Sequence, residues 1–177
     1  MFLEIMGDKA GNEFDKFDAT DFAYNIEGLA RFRVNVMRHL GGMGAVLRAI
    51  PSNAKTLLEL NMPPSVNRLS TEPQGLILVT GKTGSGKSTT LAAMIDAIND
   101  RLHGHILTIE DPVEFVHQRK KCLISQREIG QHTGSFREAL HSALREDPDV
   151  ILVGEMRDLE TISIAVTAAE MGILVMG

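Results

Sequence analysis

From Gly75 onward the sequence predicts an α/β fold built on a parallel sheet. Three observations carry this. The runs "GLILVT" (75–80), "HILTIE" (105–110) and "DVILVGE" (149–155) are nearly continuous apolar segments, as expected of parallel strands buried on both faces. Between them lie stretches whose apolar residues recur at helical spacing. Strand then helix, repeated, is the pattern of a parallel sheet with helices packed on it.

Residues 1–50 form a separate compositional unit. "RFRVNVMRH" (31–39) and "GAVLRAI" (44–50) read as strands on either side of the glycines in "LGGMG", which suit a hairpin or bulged turn. Phe32, Val34 and Val36 alternate with Arg33, Asn35 and Met37, as in a half-buried strand. "DFAYNI" (21–26) adds a third. No helix is evident to cover so thin a sheet, and the segment reads as incomplete. Residues 51–74 read as a linker, holding four of the six prolines. Pro63 and Pro64 open a short helix over Ser65–Leu69, and Asn61 suits a left-handed turn before it.

Within 75–177 the strand 75–80 is followed by a helix over 87–101, with Leu91, Met94, Ile95 and Ile98 on one face. After "HILTIE", "CLISQREI" reads as a third strand. Ser135 and Glu138 form a capping box ahead of a helix whose Phe136, Leu140 and Leu144 share a face. Asp158 caps the helix after "DVILVGE", which ends near Gly172. "ILVMG" begins a further strand.

Composition narrows the function classes. The 177 residues are 44% hydrophobic and 23% charged, with 18 Lys and Arg against 23 Asp and Glu, a net charge of −5. That balance does not suit a surface that coats nucleic acid, and 5% aromatic content without Trp leaves few stacking platforms, so no nucleic-acid partner is expected. Cys122 is the single cysteine, which excludes a disulfide within the chain and suits a reducing compartment; it reads as a small buried residue. No apolar run approaches the length of a membrane span, and "MFLEIMGDKAGNEF" lacks a basic leader region. The expected location is cytoplasmic.

"GKTGSGKS" (81–88) fits G-x-x-x-x-G-K-[ST], and it stands where that motif needs to stand, between a buried strand and a helix. The cradle residues are Thr83, Gly84, Ser85, Gly86, Lys87, Ser88 and Thr89. Their successive N–H groups, from about Gly84, turn inward and the helix N-terminus adds partial positive charge. Lys87 reaches β- and γ-phosphate oxygens and the Ser88 hydroxyl ligates Mg²⁺, so ATP and Mg²⁺ are the expected ligands. The side chain of Lys82 points away.

Two acidic sites accompany the loop. Glu155 emerges at the carboxyl end of a buried strand, where ligands of such sheets bind and where phosphohydrolases keep a water-orienting acid. The alternative is that Glu155 only pairs with Arg157. In "LTIEDPVEFVH" (107–117), Glu110 and Asp111 leave the end of another strand, and Pro112 stops it. Glu114 turns back over the sheet edge. Ionised together, these acids call for a positive field from Mg²⁺, Lys87 and the loop amides. A solvated acidic turn is the alternative.

Together, "GKTGSGKSTTLAAMID", "TIEDPVEFVH", "QREIG", "REALHSALREDPDVILVGEMRDLETI" and "TAAEMG" make the chain resemble the secretion-superfamily ATPases, and among them the PilT-type pilus-retraction ATPases, from about Asp21 to the last residue. The resemblance implies a RecA-like P-loop core preceded by part of a PAS-like α/β domain, to whose strands "RFRVN" and "GAVLRAIP" are similar. It implies a cytoplasmic homo-hexamer that turns ATP hydrolysis into pilus movement at the inner membrane, with inner-membrane platform proteins as partners. By position it assigns Glu114 of the "TIEDPVE" Asp box to Mg²⁺ or to assisting the base, and Glu155 to activating water. It also assigns Arg33, Arg48 and Arg145 to contacts with the nucleotide. The chain departs from the family pattern at Lys82, usually proline, at His141, often arginine, and at Ile173, usually the first histidine of the His box. It reads as an internal piece of such a protein, partial at both ends. A nucleotide-binding module that no longer hydrolyses, and a related pilus-assembly or type II secretion ATPase, are the alternative readings; a DNA motor is disfavoured by charge and aromatic content.

Overall fold

The computed structural model describes residues 2–27, 29–50 and 54–177, and the chain divides into two compact units, Met1–Ser52 and Asn53–Gly177. The first unit starts with α1 (Phe2–Ile5) and α2 (Asp8–Phe17) and continues with the antiparallel sheet β1 (Ala19–Ile26), β2 (Ala30–His39) and β3 (Gly42–Ile50), in that order. The alternation read in β2 is real: Val34 and Val36 are fully buried. A two-residue turn, Leu40–Gly41, joins β2 to β3, with His39 opposite Gly42.

A helix does cover this sheet, contrary to expectation. Helix α2 buries Ala10 and Phe14 against Val34 and Val36, and Thr20 on β1 donates to Glu13 at 2.7 Å. Its sequence hides it: "DKAGNEFDKF" is charged, carries an internal glycine, and sinks only an i, i+4 pair. Asp18 ends the helix in the left-handed conformation and pairs with Arg38 at 2.7 Å, whose guanidinium lies 5.2 Å from the Phe14 ring centre.

In the second unit, residues 54–74 pack onto the core: Leu57 is buried with α4, and Leu60, Met62 and Val66 join it. Asn61 has φ 52° and Pro64 opens α3 (Pro64–Leu69), as the sequence indicates. There follow β4 (Gly75–Ile77), α4 (Lys87–Arg101), β5 (His105–Glu110), β6 (Leu123–Glu128), α5 (Phe136–Ala143), β7 (Val150–Val153), α6 (Leu159–Glu170) and β8 (Leu174–Met176). The strands form a parallel sheet in the order β4-β8-β7-β5-β6. Alternate residues serve two cores. Ile106, Val150, Leu152, Leu174 and Met176 face α4, whose Met94, Ile95 and Ile98 are almost wholly buried. Leu107, Ile109, Ile151, Val153 and Val175 face α5 and α6. Each such aliphatic side chain contributes roughly 1.5–3 kcal/mol on burial, so the register of the central strands is strongly held.

The run 75–80 is not buried on both faces. Regular β4 is only three residues long and takes an edge of the described sheet, with Leu76 and Leu78 37% and 59% exposed. Pairing with one neighbour, β8, leaves it half covered; the central strands β5 and β7 fit the expectation instead. Both helix caps hold: Ser135 accepts the N–H of Glu138, and Asp158 that of Thr161.

Candidate phosphate and acidic-loop site

All five strands are parallel, so their carboxyl ends share one edge of the sheet, where ligands of such folds bind. Three sequence-predicted features arrive there: the loop after β4, the turn after β5 and the residue pair after β7.

The phosphate loop runs from Gly81 into the first turn of α4. Gly84 and Gly86 have φ of 78° and 95°, values a Cβ resists, which explains glycine at both. Thr90 closes the first turn by donating both its N–H and its hydroxyl to the Gly86 carbonyl, at 2.8 and 2.9 Å. The Lys87 ammonium folds over the loop and donates to the carbonyls of Gly81 (3.0 Å) and Lys82 (3.3 Å). Thr83, Ser85 and Ser88 are exposed, and Thr89 half-buried beside them. The loop therefore presents glycine-rich backbone, a helix N-terminus and one ammonium at the same place, which is the chemistry of a polyphosphate cradle.

Glu110 ends β5 and is 8% exposed. Its carboxylate takes hydrogen bonds from the Thr108 hydroxyl (2.7 Å), the Glu114 N–H (3.3 Å) and the Gln126 amide (3.4 Å). Burial pushes its carboxyl above the ordinary carboxylate range, and these bonds pull it back only partly. All three donors to Glu110 are neutral. Glu110 shapes the turn, as read from the sequence, whereas Glu114 is exposed.

Beside Glu110 in the register of β5 and β6 stands Glu128, 3% exposed, which accepts the Val113 N–H at 3.0 Å. Further along the same turn His117 is buried, which pushes its imidazole below the ordinary histidine range, with Asp96 opposing the shift. Asn99 of α4, wholly buried, binds the Gln118 carbonyl and the N–H groups of Lys120 and Cys122. Glu128 and Asn99 carry no local signal of these roles, and sequence reasoning missed both.

Glu155 follows β7 by two residues and pairs with Arg157 at 2.9 Å, so the bland partner read from the sequence is also present. Gly154 brings it close to the acidic turn. Its N–H donates to the Ile109 carbonyl at 2.8 Å, and a Cβ there would stand 3.3 Å from Glu110 Cα.

Arg145 is not brought to this edge. It follows α5, which runs back across the sheet, and the carbonyl of its neighbour Glu146 lies 3.1 Å from Nδ1 of His105, the first residue of β5. Arg145 therefore sits at the amino edge of its own sheet, near His141 at 3.3 Å. Arg33 and Arg48 belong to the first unit, where they are direct cross-strand partners on β2 and β3; Arg33 also lies 3.6 Å from Asp21. Ile173, at the expected start of the His box, is buried in the core with α5 and α6. Cys122 is buried and donates to the Leu102 carbonyl. No helix among the described residues is long and apolar enough to cross a membrane.

The family described as type II/IV secretion system protein matches residues 18–177. The type IV pilus retraction ATPase PilT of Pseudomonas aeruginosa is 59% identical over the whole chain, which covers 52% of that protein. A twitching motility protein of Neisseria gonorrhoeae is 56% identical over the whole chain, covering 47% of it. The chain thus spans about half the length of these curated relatives. Among solved structures, the pilus retraction motor PilT with bound ADP superposes with a TM-score of 0.96 at 49% identity, over 99% of this chain and 51% of that one. The Legionella pneumophila ATPase DotB superposes with a TM-score of 0.89 at 34% identity, over 99% and 50%.

Proposed function

The chain belongs to the type II/IV secretion system protein family, and from that premise we propose that it carries the nucleotide site of an ATP-hydrolysing motor subunit that powers type IV pilus retraction. The observation that supports this most is the convergence of the Lys87 loop, the Glu110–Glu114 turn and Glu155 on one edge of a parallel sheet. The relatives named as retraction and twitching-motility proteins support the choice of motor over pilus assembly or secretion.

In this reading the loop amides and the α4 N-terminus bind the phosphates of ATP. Lys87 exchanges its bonds to the Gly81 and Lys82 carbonyls for bonds to phosphate oxygens, charge-assisted and therefore stronger. The residues fit Mg²⁺: the Ser88 hydroxyl opens α4, and Glu114 and Glu155 offer oxygen on the same edge. Mg²⁺ commonly keeps waters and phosphate oxygens as most of its ligands, so few protein oxygens are needed. Bound Mg²⁺ supplies charge neutralisation at the phosphates. Glu155, paired with Arg157, orients the attacking water and takes its proton, and Glu114 would hold Mg²⁺ through water or assist the base. Arg33 and Arg48 remain nucleotide contacts on the strength of the resemblance, as two guanidinium groups on one sheet face; Arg145 is left out of this chain's own phosphate site. The motor works as a cytoplasmic homo-hexamer, peripheral to the inner membrane through platform proteins.

The test is made on the full-length protein. Lys87→Ala abolishes ATP binding measured calorimetrically. Glu155→Gln keeps binding and loses turnover roughly a hundredfold or more. Wild-type turnover by Glu155→Gln would overturn the assignment of Glu155 to activating water, and ATP binding without turnover in the wild type would leave the module a nucleotide binder.

A further inference from the structure

Residues 111–122 are neither helix nor strand, yet their backbone is held closely. Apart from the Lys121 N–H, which donates to the Asn99 main-chain carbonyl, these bonds come from side chains. Among them Gln126 of β6 is unusual, since its amide uses both ends on one stretch. Its Oε1 accepts the His117 N–H at 2.8 Å and its Nε2 donates to the Phe115 carbonyl at 2.8 Å. A C=O and an N–H two residues apart are what a neighbouring strand would engage; here one side chain supplies both partners. The same Nε2 reaches Glu110 Oε1 at 3.4 Å, and Glu110 Oε2 accepts the Glu114 N–H. Gln126 also stands opposite Thr108 in the β5–β6 register, and Thr108 donates to that same Oε1. Glu114 is thus bracketed: its own N–H is tied to Glu110, and Phe115 and His117 after it are tied to Gln126.

We propose that Gln126 is a positioning residue for hydrolysis: its amide clamps the turn at Phe115 and His117 and thereby sets where the exposed Glu114 carboxylate stands on the sheet edge. This rests on the assignment of Glu114 to the nucleotide site. The chemistry demands an amide. A carboxylate at this position would accept from His117 but lose the bond to Phe115, and it would set a second negative charge against buried Glu110. An apolar side chain of equal length would leave both backbone groups without these partners.

The experiment uses the full-length protein and three readouts: turnover, ATP affinity, and hydrogen exchange of individual segments. Gln126→Met is expected to lower kcat about tenfold, the scale of one or two such bonds. ATP affinity should stay within about twofold, because the phosphate loop is untouched. Exchange in 113–117 should rise while the α4 and β7 amides keep their protection. In a Glu114→Ala background, Gln126→Met should cost nothing further, because the clamp acts through the carboxylate already removed. Gln126→Glu, which keeps the acceptor for His117, should lose part of the turnover and serves if the Met variant does not fold. An equal loss of kcat with and without Glu114, a matching loss of ATP affinity, or unchanged exchange in 113–117 overturns the proposal. If Glu114→Ala alone hydrolyses at the wild-type rate, the Glu114 assignment fails and takes the catalytic role of Gln126 with it; the exchange measurement still decides the clamp by itself.

Discussion

The carboxylate of Glu110 accepts the backbone N–H of Glu114 at 3.3 Å from a site that is 8% exposed. A buried acid is thereby the support of an exposed one four residues on. Because burial raises the Glu110 carboxyl above its unfolded value, the folded state holds its proton to higher pH. The associated stability is fully present below the unfolded value, about pH 4.3, and is lost as pH rises through the raised folded value. Glu110→Gln removes the titration. Urea midpoints of wild type and variant, compared between about pH 4 and about pH 8, should shift in favour of the variant as pH rises. A constant difference across that range counts against the burial argument.

Gly154→Ala should be costly without any strained φ. The added Cβ meets backbone on both contacts, Glu110 Cα and the Ile109 carbonyl at 3.3 Å, and neither can rotate away. A destabilisation of about 1–3 kcal/mol is expected in thermal melts, with turnover lowered further as Glu155 moves off the acidic turn. Unchanged melting would mean that the ends of β5 and β7 separate easily.

Asn99→Ala should be among the more damaging polar substitutions. The wholly buried amide serves the Gln118 carbonyl at 2.8 Å and the N–H groups of Lys120 and Cys122 at 3.3 and 3.2 Å. Leaving them without it costs about 2–4 kcal/mol. Asn99→Asp keeps the acceptor but loses the donor to Gln118 and buries a carboxyl group, so it should be no milder. The ranking is read from chemical denaturation of the three proteins.

Cys122 should resist thiol reagents in the native state. Burial pushes its thiol up, and its hydrogen donates to the Leu102 carbonyl at 3.0 Å. Labelling is expected to be roughly a hundredfold slower than in denaturant, and to follow opening of the α4–β5 region. Rapid native labelling would place the thiol at the surface.

Much of the fold was legible in the sequence, and the reason is locality. The P-loop glycines, the Ser135 and Asp158 caps, the Asn61 turn and the buried faces of α4, β5 and β7 each rest on signals spanning a few residues. Helix α2 escaped because only Ala10 and Phe14 mark its buried face. Strand β4 was overread because an apolar run does not say whether a strand has one neighbour or two.

The sequence by itself determined which chemistry the chain carries: a phosphate loop with Lys87 and Ser88, and acids at 110, 114 and 155, all within parallel α/β elements. Only the tertiary structure decided how those groups are held. It separated buried Glu110 from exposed Glu114, sent Arg145 to the opposite edge of the sheet, and made Gln126, Glu128 and Asn99 the partners of a turn that has no secondary structure of its own. The physical reason is that a backbone N–H in such a turn needs a partner and takes the one that packing brings near. For Val113 and His117 that partner lies 15 and 9 residues away, on a strand whose place beside β5 is set by the burial of both cores.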